Sequence, residues 1–127
     1  MPIEYERDDE RRLVVLTMTD PYALLEILSA IDRQMAEDTW TYAVLSDLRA
    51  VIDLWTESDL QQIADRVKAV GSGRERGPVG IAVNARPAGL RMGLTYTDLT
   101  RKIVDVEVLL TATQLDDWLA RNAQRRP

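Results

Sequence analysis

Short apolar runs alternate with segments of helical period along this chain, and that alternation points to the α/β class. Residues 3–7, Ile-Glu-Tyr-Glu-Arg, alternate apolar and charged side chains, the period of a half-buried strand. Asp8-Asp9-Glu10 makes a polar turn, and residues 12–18, Arg-Leu-Val-Val-Leu-Thr-Met, form a fuller apolar run. The two read as a hairpin whose second strand is the more buried. Asp20-Pro21 then reads as a helix start, because Asp can cap and Pro is tolerated in a first turn. Leu24, Leu28, Ile31 and Met35 follow at helical spacing as one buried stripe, and Asp38-Thr39 closes that helix.

A central strand is expected from about Thr41, carried by the uncharged run Tyr42-Ala43-Val44-Leu45. The next helix has the clearest start in the sequence: Thr56 as cap, Asp59 at the third position, and Trp55 and Leu60 placed as a hydrophobic staple. Leu60, Ile63, Val67 and Val70 give its apolar stripe, and Gly71 its stop. Residues 78–83 form another apolar strand, and Pro87 opens a third helix over about 87–102. Gly89 and Gly93 each cost that helix about 1 kcal/mol relative to Ala, so their presence predicts close packing against a neighbour. Val104, Val106 and Val108 alternate with Asp105 and Glu107 as an edge strand with one wet face. Thr111 and Gln114 make a second capping box before the helix of Trp118 and Leu119. The order ββαβαβαβα predicts one domain: a five-stranded, mostly parallel mixed sheet with four main helices.

The 127 residues contain neither cysteine nor histidine. Disulfides, thiol catalysis and cysteine-ligated zinc are excluded, and so are the usual near-neutral general base and the commonest transition-metal ligand. The expectation is a non-enzymatic protein with no metal and no cofactor, although Asp, Glu, Lys and Tyr remain for acid–base work. A net charge of −5 gives no overall basic footprint for nucleic acid. The basic clusters are Arg11-Arg12, Arg74 with Arg76, and the tail Arg121, Arg125 and Arg126, which reads as a solvated helix end. No apolar run approaches the roughly 20 residues of a membrane helix, so membrane insertion is not expected. The first residues lack the apolar core of a signal peptide, and a cytoplasmic location is expected.

Candidate site residues gather where strand carboxyl ends meet helix amino ends. Asp47 and Arg49 follow the central strand and suit a polar ligand or partner; the plainer reading is a turn cap paired with its own arginine. Thr56 and Ser58 stand at a helix N-terminus, favourable for an anion or a phosphoryl group, with capping as the alternative. Trp55, Met92 and Tyr96, with Trp40, suit the lining of a small apolar cavity, though residues at such spacing are more often core. The glycine-rich stretch 71–77 has neither the spacing nor the strand-to-helix position of a phosphate loop, and reads as a flexible connection.

The segment VLSDLRAVIDLWTESDL, residues 44–60, together with the hairpin, the GPVGIAV strand, the GLRMGLTY helix and the terminal QLDDWL, resembles the SpoIIAA-like family of small bacterial proteins, distant relatives of STAS domains. The resemblance implies a SpoIIAA/STAS-like strand–helix superhelix, a homodimer, and protein–protein regulation rather than catalysis. In the related anti-sigma-factor antagonists a phosphorylated serine opens the helix after the central strand. That position falls here in Trp55-Thr56-Glu57-Ser58, where Thr56 keeps a hydroxyl. The broader fold also resembles CRAL-TRIO lipid-binding domains. That likeness implies an alternative role: binding a small apolar molecule or lipid in a pocket between the third helix and the sheet.

Overall fold

The computed structural model describes residues 3–20, 23–52, 55–71, 73–84 and 86–123. Its elements run β1 (Ile3–Asp8), β2 (Leu13–Thr19), α1 (Leu24–Ala36), β3 (Ala43–Ala50), α2 (Glu57–Val70), β4 (Val79–Ala82), α3 (Pro87–Leu99), β5 (Val106–Leu109) and α4 (Ala112–Asn122). The expected α/β class, five-stranded mixed sheet and four helices are all present. The strands lie side by side in sequence order, with β1 antiparallel to β2 and the remaining neighbours parallel.

That sequential order has a consequence for where a site can form. Parallel strands that always advance in one direction need every crossover on the same face of the sheet. Accordingly α1, α2 and α3 share one layer, packing Ile27, Ile31, Leu60, Ile63, Val67, Met92 and Tyr96 onto Val14, Leu16, Val44, Leu48, Val79 and Ile81. Only α4 crosses to the other face, where Leu115 and Trp118 meet Leu13, Leu45, Ala82 and Leu109. The strand order never reverses, so the sheet has no switch point of the kind that opens a ligand crevice in doubly wound folds.

Two helix starts illustrate how local signals fared. Thr56 caps α2 as its sequence predicts: its Oγ1 accepts from Asp59 N at 3.1 Å, and Asp59 Oδ2 accepts from Thr56 N at 3.3 Å. Asp20 does not cap α1. The helix begins at Leu24 behind Ala23, which makes no side-chain cap, and Asp20 Oδ2 instead accepts from Ile52 N at 2.6 Å. The carboxylate is drawn across to the end of β3, where a backbone donor lies free. Pro21, like Arg125 and Arg126, lies outside the described residues. The buried face of α1 is also rotated from the expected stripe. Ile27, Ala30, Ile31 and Gln34 are buried, while Leu24, Leu28 and Met35 flank them.

Glycines mark two close approaches. A Cβ on Gly93 of α3 would stand 2.7 Å from Val108 Cγ2, so the helix lies directly on the edge strand, as its glycines suggest. A Cβ on Gly77 would stand 2.1 Å from the Tyr42 carbonyl oxygen, a backbone atom that cannot rotate away. Gly77→Ala should therefore lower stability by at least about 3 kcal/mol, the upper range for overpacking. Gly93→Ala should cost less, because Val108 can shift and the helix recovers about 1 kcal/mol of propensity. Urea midpoints of the two variants test the order; a milder Gly77→Ala would contradict the contact.

Candidate functional site

At the carboxyl ends of the strands, the candidates are engaged with one another. Arg49 donates from Nε to Asp47 Oδ1 at 2.9 Å and from Nη2 to Oδ2 at 2.8 Å, and its backbone N–H reaches Oδ1 at 3.1 Å. The planar guanidinium fork, the group best suited to an incoming carboxylate or phosphate, is thus occupied by the side chain two residues before it. This pairing holds the Asp47 carboxyl below the usual carboxylate range; burial opposes it. Asp47 and Arg49 alternate with Leu48, which is buried in the α1–α3 core, so they stand on the α4 side of the sheet. Thr56 and Ser58 begin α2 on the opposite side, exposed to solvent. The pleat therefore separates two pairs that lie close in sequence.

The aromatic candidates are divided too. Trp55 and Tyr96 line a cavity of about 40 Å³ between the sheet and the α1–α3 layer, together with Ser46, Ile63 and Val79. Met92 is buried in the surrounding core but does not reach this space. Trp40 packs elsewhere, fully buried below the start of β3. At about 40 Å³ the cavity has room for roughly one or two water molecules.

Two further polar residues also line it: Gln34 of α1, which the sequence reading passed over, and Arg76 of the loop before β4, which it named only within a basic cluster. Gln34 is wholly buried, and neither end of its amide has a hydrogen-bond partner among the described residues. The signal for it was present, since Gln34 falls three residues after Ile31 on the apolar face of α1. Arg76 is half-buried as a residue, but its Nε and Nη1 are shut off from solvent with no partner among the described residues. Its guanidinium carbon stands 4.1 Å from the centre of the Trp40 ring.

The loop carrying Arg76 is held at several points, contrary to the expected flexible connection. A Cβ on Gly71 would lie 2.4 Å from the Trp40 ring, Gly77 N donates to Trp40 O at 3.0 Å, and Arg74 reaches Asp38 at 3.0 Å. Gly71 serves close approach to the Trp40 ring and Gly77 close approach to the backbone of Thr41 and Tyr42. Among the described residues no group of three or more acidic side chains is placed to hold a metal ion, and no helix is long and apolar enough to cross a membrane.

Thr56→Ala should cost about 0.5–2 kcal/mol and Thr56→Ser close to nothing, since the exposed hydroxyl serves the helix cap. Urea unfolding of both decides this; a silent Thr56→Ala would free the hydroxyl for another role. The Asp47 shift has a definite sign. A carboxyl whose folded pKa is depressed contributes stability that is fully present above the unfolded value of about 4. That contribution is lost as pH falls through the lower folded value. Asp47→Asn should therefore lower the thermal midpoint at pH 7 and narrow its gap from the parent chain as pH falls below about 4. An unchanged gap across that range would place the acid sensitivity elsewhere.

The chain matches no protein-family model, and no curated protein or solved structure is significantly similar to it.

Proposed function

We propose that the chain is a non-enzymatic interaction module of the STAS-like kind, a strand–helix superhelix that docks a protein partner at the carboxyl ends of its strands. The observation that carries this reading is where apolar side chains meet solvent. Leu25 and Ile52 are 70% and 71% exposed, and Leu90 and Leu94 are also open. Leu25 sits on the first turn of α1, Ile52 follows β3, and Leu90 sits on the first turn of α3. Each of those positions belongs to the same end of the sheet, with Leu94 one turn further along α3. Large apolar side chains collected at one end favour a docking role over chance exposure. The polar groups nearby are satisfied internally, Asp47 by Arg49 and Thr56 by Asp59, and so offer fixed shape rather than an open reacting group.

The SpoIIAA-like resemblance of residues 44–60 supports the same reading, and a second copy of this chain is one partner it suggests. The lipid-carrier alternative draws less support, because the space beside Trp55 and Tyr96 is about 40 Å³, against roughly 300–1,000 Å³ for common ligand sites.

Ile52→Glu and Leu94→Glu test the proposal. Each should shift stability by no more than about 0.5 kcal/mol, as exposed positions usually do. Each should also weaken capture of a partner that the parent chain retains from cell extract. Light scattering reads the self-association arm: a dimer of the 14.4 kDa chain should fall to monomer in the variants. Partners and assembly unchanged in both variants would move the docking face elsewhere.

A further inference from the structure

At the other end of the molecule, where β3 and β4 begin and α2 and α3 finish, the surface is hollowed into a groove of about 520 Å³. Trp40 and Val67 line it, and Lys68, Arg74, Arg76 and Lys102 set four cations against the single acid Glu75. In a chain of net charge −5 this excess is local. Lys68, in the last turn of α2, and Lys102, just past α3, also complement the negative ends of those helices. Arg74 is held by Asp38.

Arg76 has no such account. It makes no ion pair among the described residues, and its Nε and Nη1 donors are buried without acceptors. The buried indole Nε1–H of Trp40, against whose ring the guanidinium stacks, also lacks an acceptor among the described residues. On the inner side, Arg76 and Val67 border the small cavity that holds the unpartnered Gln34 amide, so the same two residues wall both spaces. The balance is uneven: among the described residues, buried side-chain N–H donors of Arg76, Trp40 and Gln34 stand unmet, and the Gln34 amide oxygen is the unmet side-chain acceptor beside them. Water could satisfy hydrogen bonds there but would leave a half-buried, partly desolvated cation without a counter-charge among the described residues, which is costly. Stacking on Trp40 offsets only part of that cost. Burial accordingly lowers the Arg76 pKa to about 10.

We infer that this groove is a binding site for a small-molecule oxyanion, whose carboxylate or phosphate group seats on the Arg76 guanidinium with Lys68 and Lys102 at the rim. The groove volume falls within the range of small-molecule sites, so the anionic group is the head of a larger molecule lying outward from Arg76. The inner cavity accepts nothing much larger than water. The site lies at the far end from the docking face and does not depend on it.

The test is calorimetric titration of the full chain with inorganic phosphate and, separately, with acetate, at ionic strength held constant by chloride. The parent chain should bind at least one probe saturably at a single site. Phosphate alone assigns a phosphoryl head; acetate alone assigns a carboxylate. Arg76→Lys, which keeps charge but loses the planar fork, should weaken binding by about tenfold to a hundredfold. Arg121→Gln, on α4 and paired with Glu107, should leave it unchanged. Arg76→Met should abolish binding and, in buffer without either probe, melt above the parent chain, because the unpaired buried charge is gone. Only the parent should then gain thermal midpoint as the bound probe is added. Absence of saturable binding by the parent chain, or equal binding by Arg76→Lys, overturns the inference. So does a folded Arg76→Met variant that melts lower than the parent without added probe; if that variant does not fold, the parent and Arg76→Lys isotherms decide.

Discussion

The burial of Trp40 is the contact on which the lower half of the molecule depends. The indole is all but removed from solvent beneath the start of β3, and three features of the next connection are fitted to it. Gly71 leaves room for the ring, Gly77 donates its N–H to the Trp40 carbonyl, and Arg76 stacks on the ring face. The connection from α2 to β4 is thereby pressed against residues 40–42, and β4 enters in register beside β3, with Val44 opposite Val79 and Leu45 opposite Gly80. An aromatic side chain of this size brings a large apolar contact area, enough to hold a glycine-rich loop that has little core-forming surface of its own.

Charge is distributed according to a second constraint. Most ion pairs among the described residues are exposed, such as Arg33 with Glu37, Arg66 with Asp32 and Arg101 with Asp98. Pairs of that kind contribute little each, about 0–1 kcal/mol, and mainly keep an acidic surface from repelling itself. Arg76 differs in that its Nε and Nη1 have no carboxylate or other acceptor among the described residues. Tyr96 and Tyr5 interact electrostatically with it, and both phenols are pushed to higher pKa mainly by burial. They are therefore neutral at physiological pH and supply no counter-charge.

The single direction of winding divides the molecule into two unlike ends. Without a reversal of strand order, no crevice opens between helices on opposite faces, and the carboxyl ends of the strands present a surface of paired polar groups and exposed leucine and isoleucine. The groove lies instead at the amino ends, beside the finishing turns of α2 and α3. The proposed docking face and the inferred anion site are chemically compatible, since they share no side chain.

Much of the architecture was legible from the residues. The hairpin, the strand–helix alternation, the Thr56–Asp59 capping box and the close packing of Gly93 all follow from rules that act over a few neighbouring residues, and each is present. The Asp47–Arg49 pairing was legible too, because residues two apart on a strand share a face. What the sequence could not settle were relations between segments distant along the chain. Asp20, a plausible cap for α1, turned to Ile52 N because β3 ends beside it. The pleat placed Asp47 and Thr56 on opposite sides of the sheet. The loop around Arg76 looked flexible because its anchor, Trp40, lies more than thirty residues earlier. Local periodicity and capping chemistry thus determined which elements form and in what order. Tertiary packing alone decided which polar groups would be satisfied and which left unpaired, because a buried charge is defined by what surrounds it in space, and those surroundings come from α1, β3, α2 and α3 together.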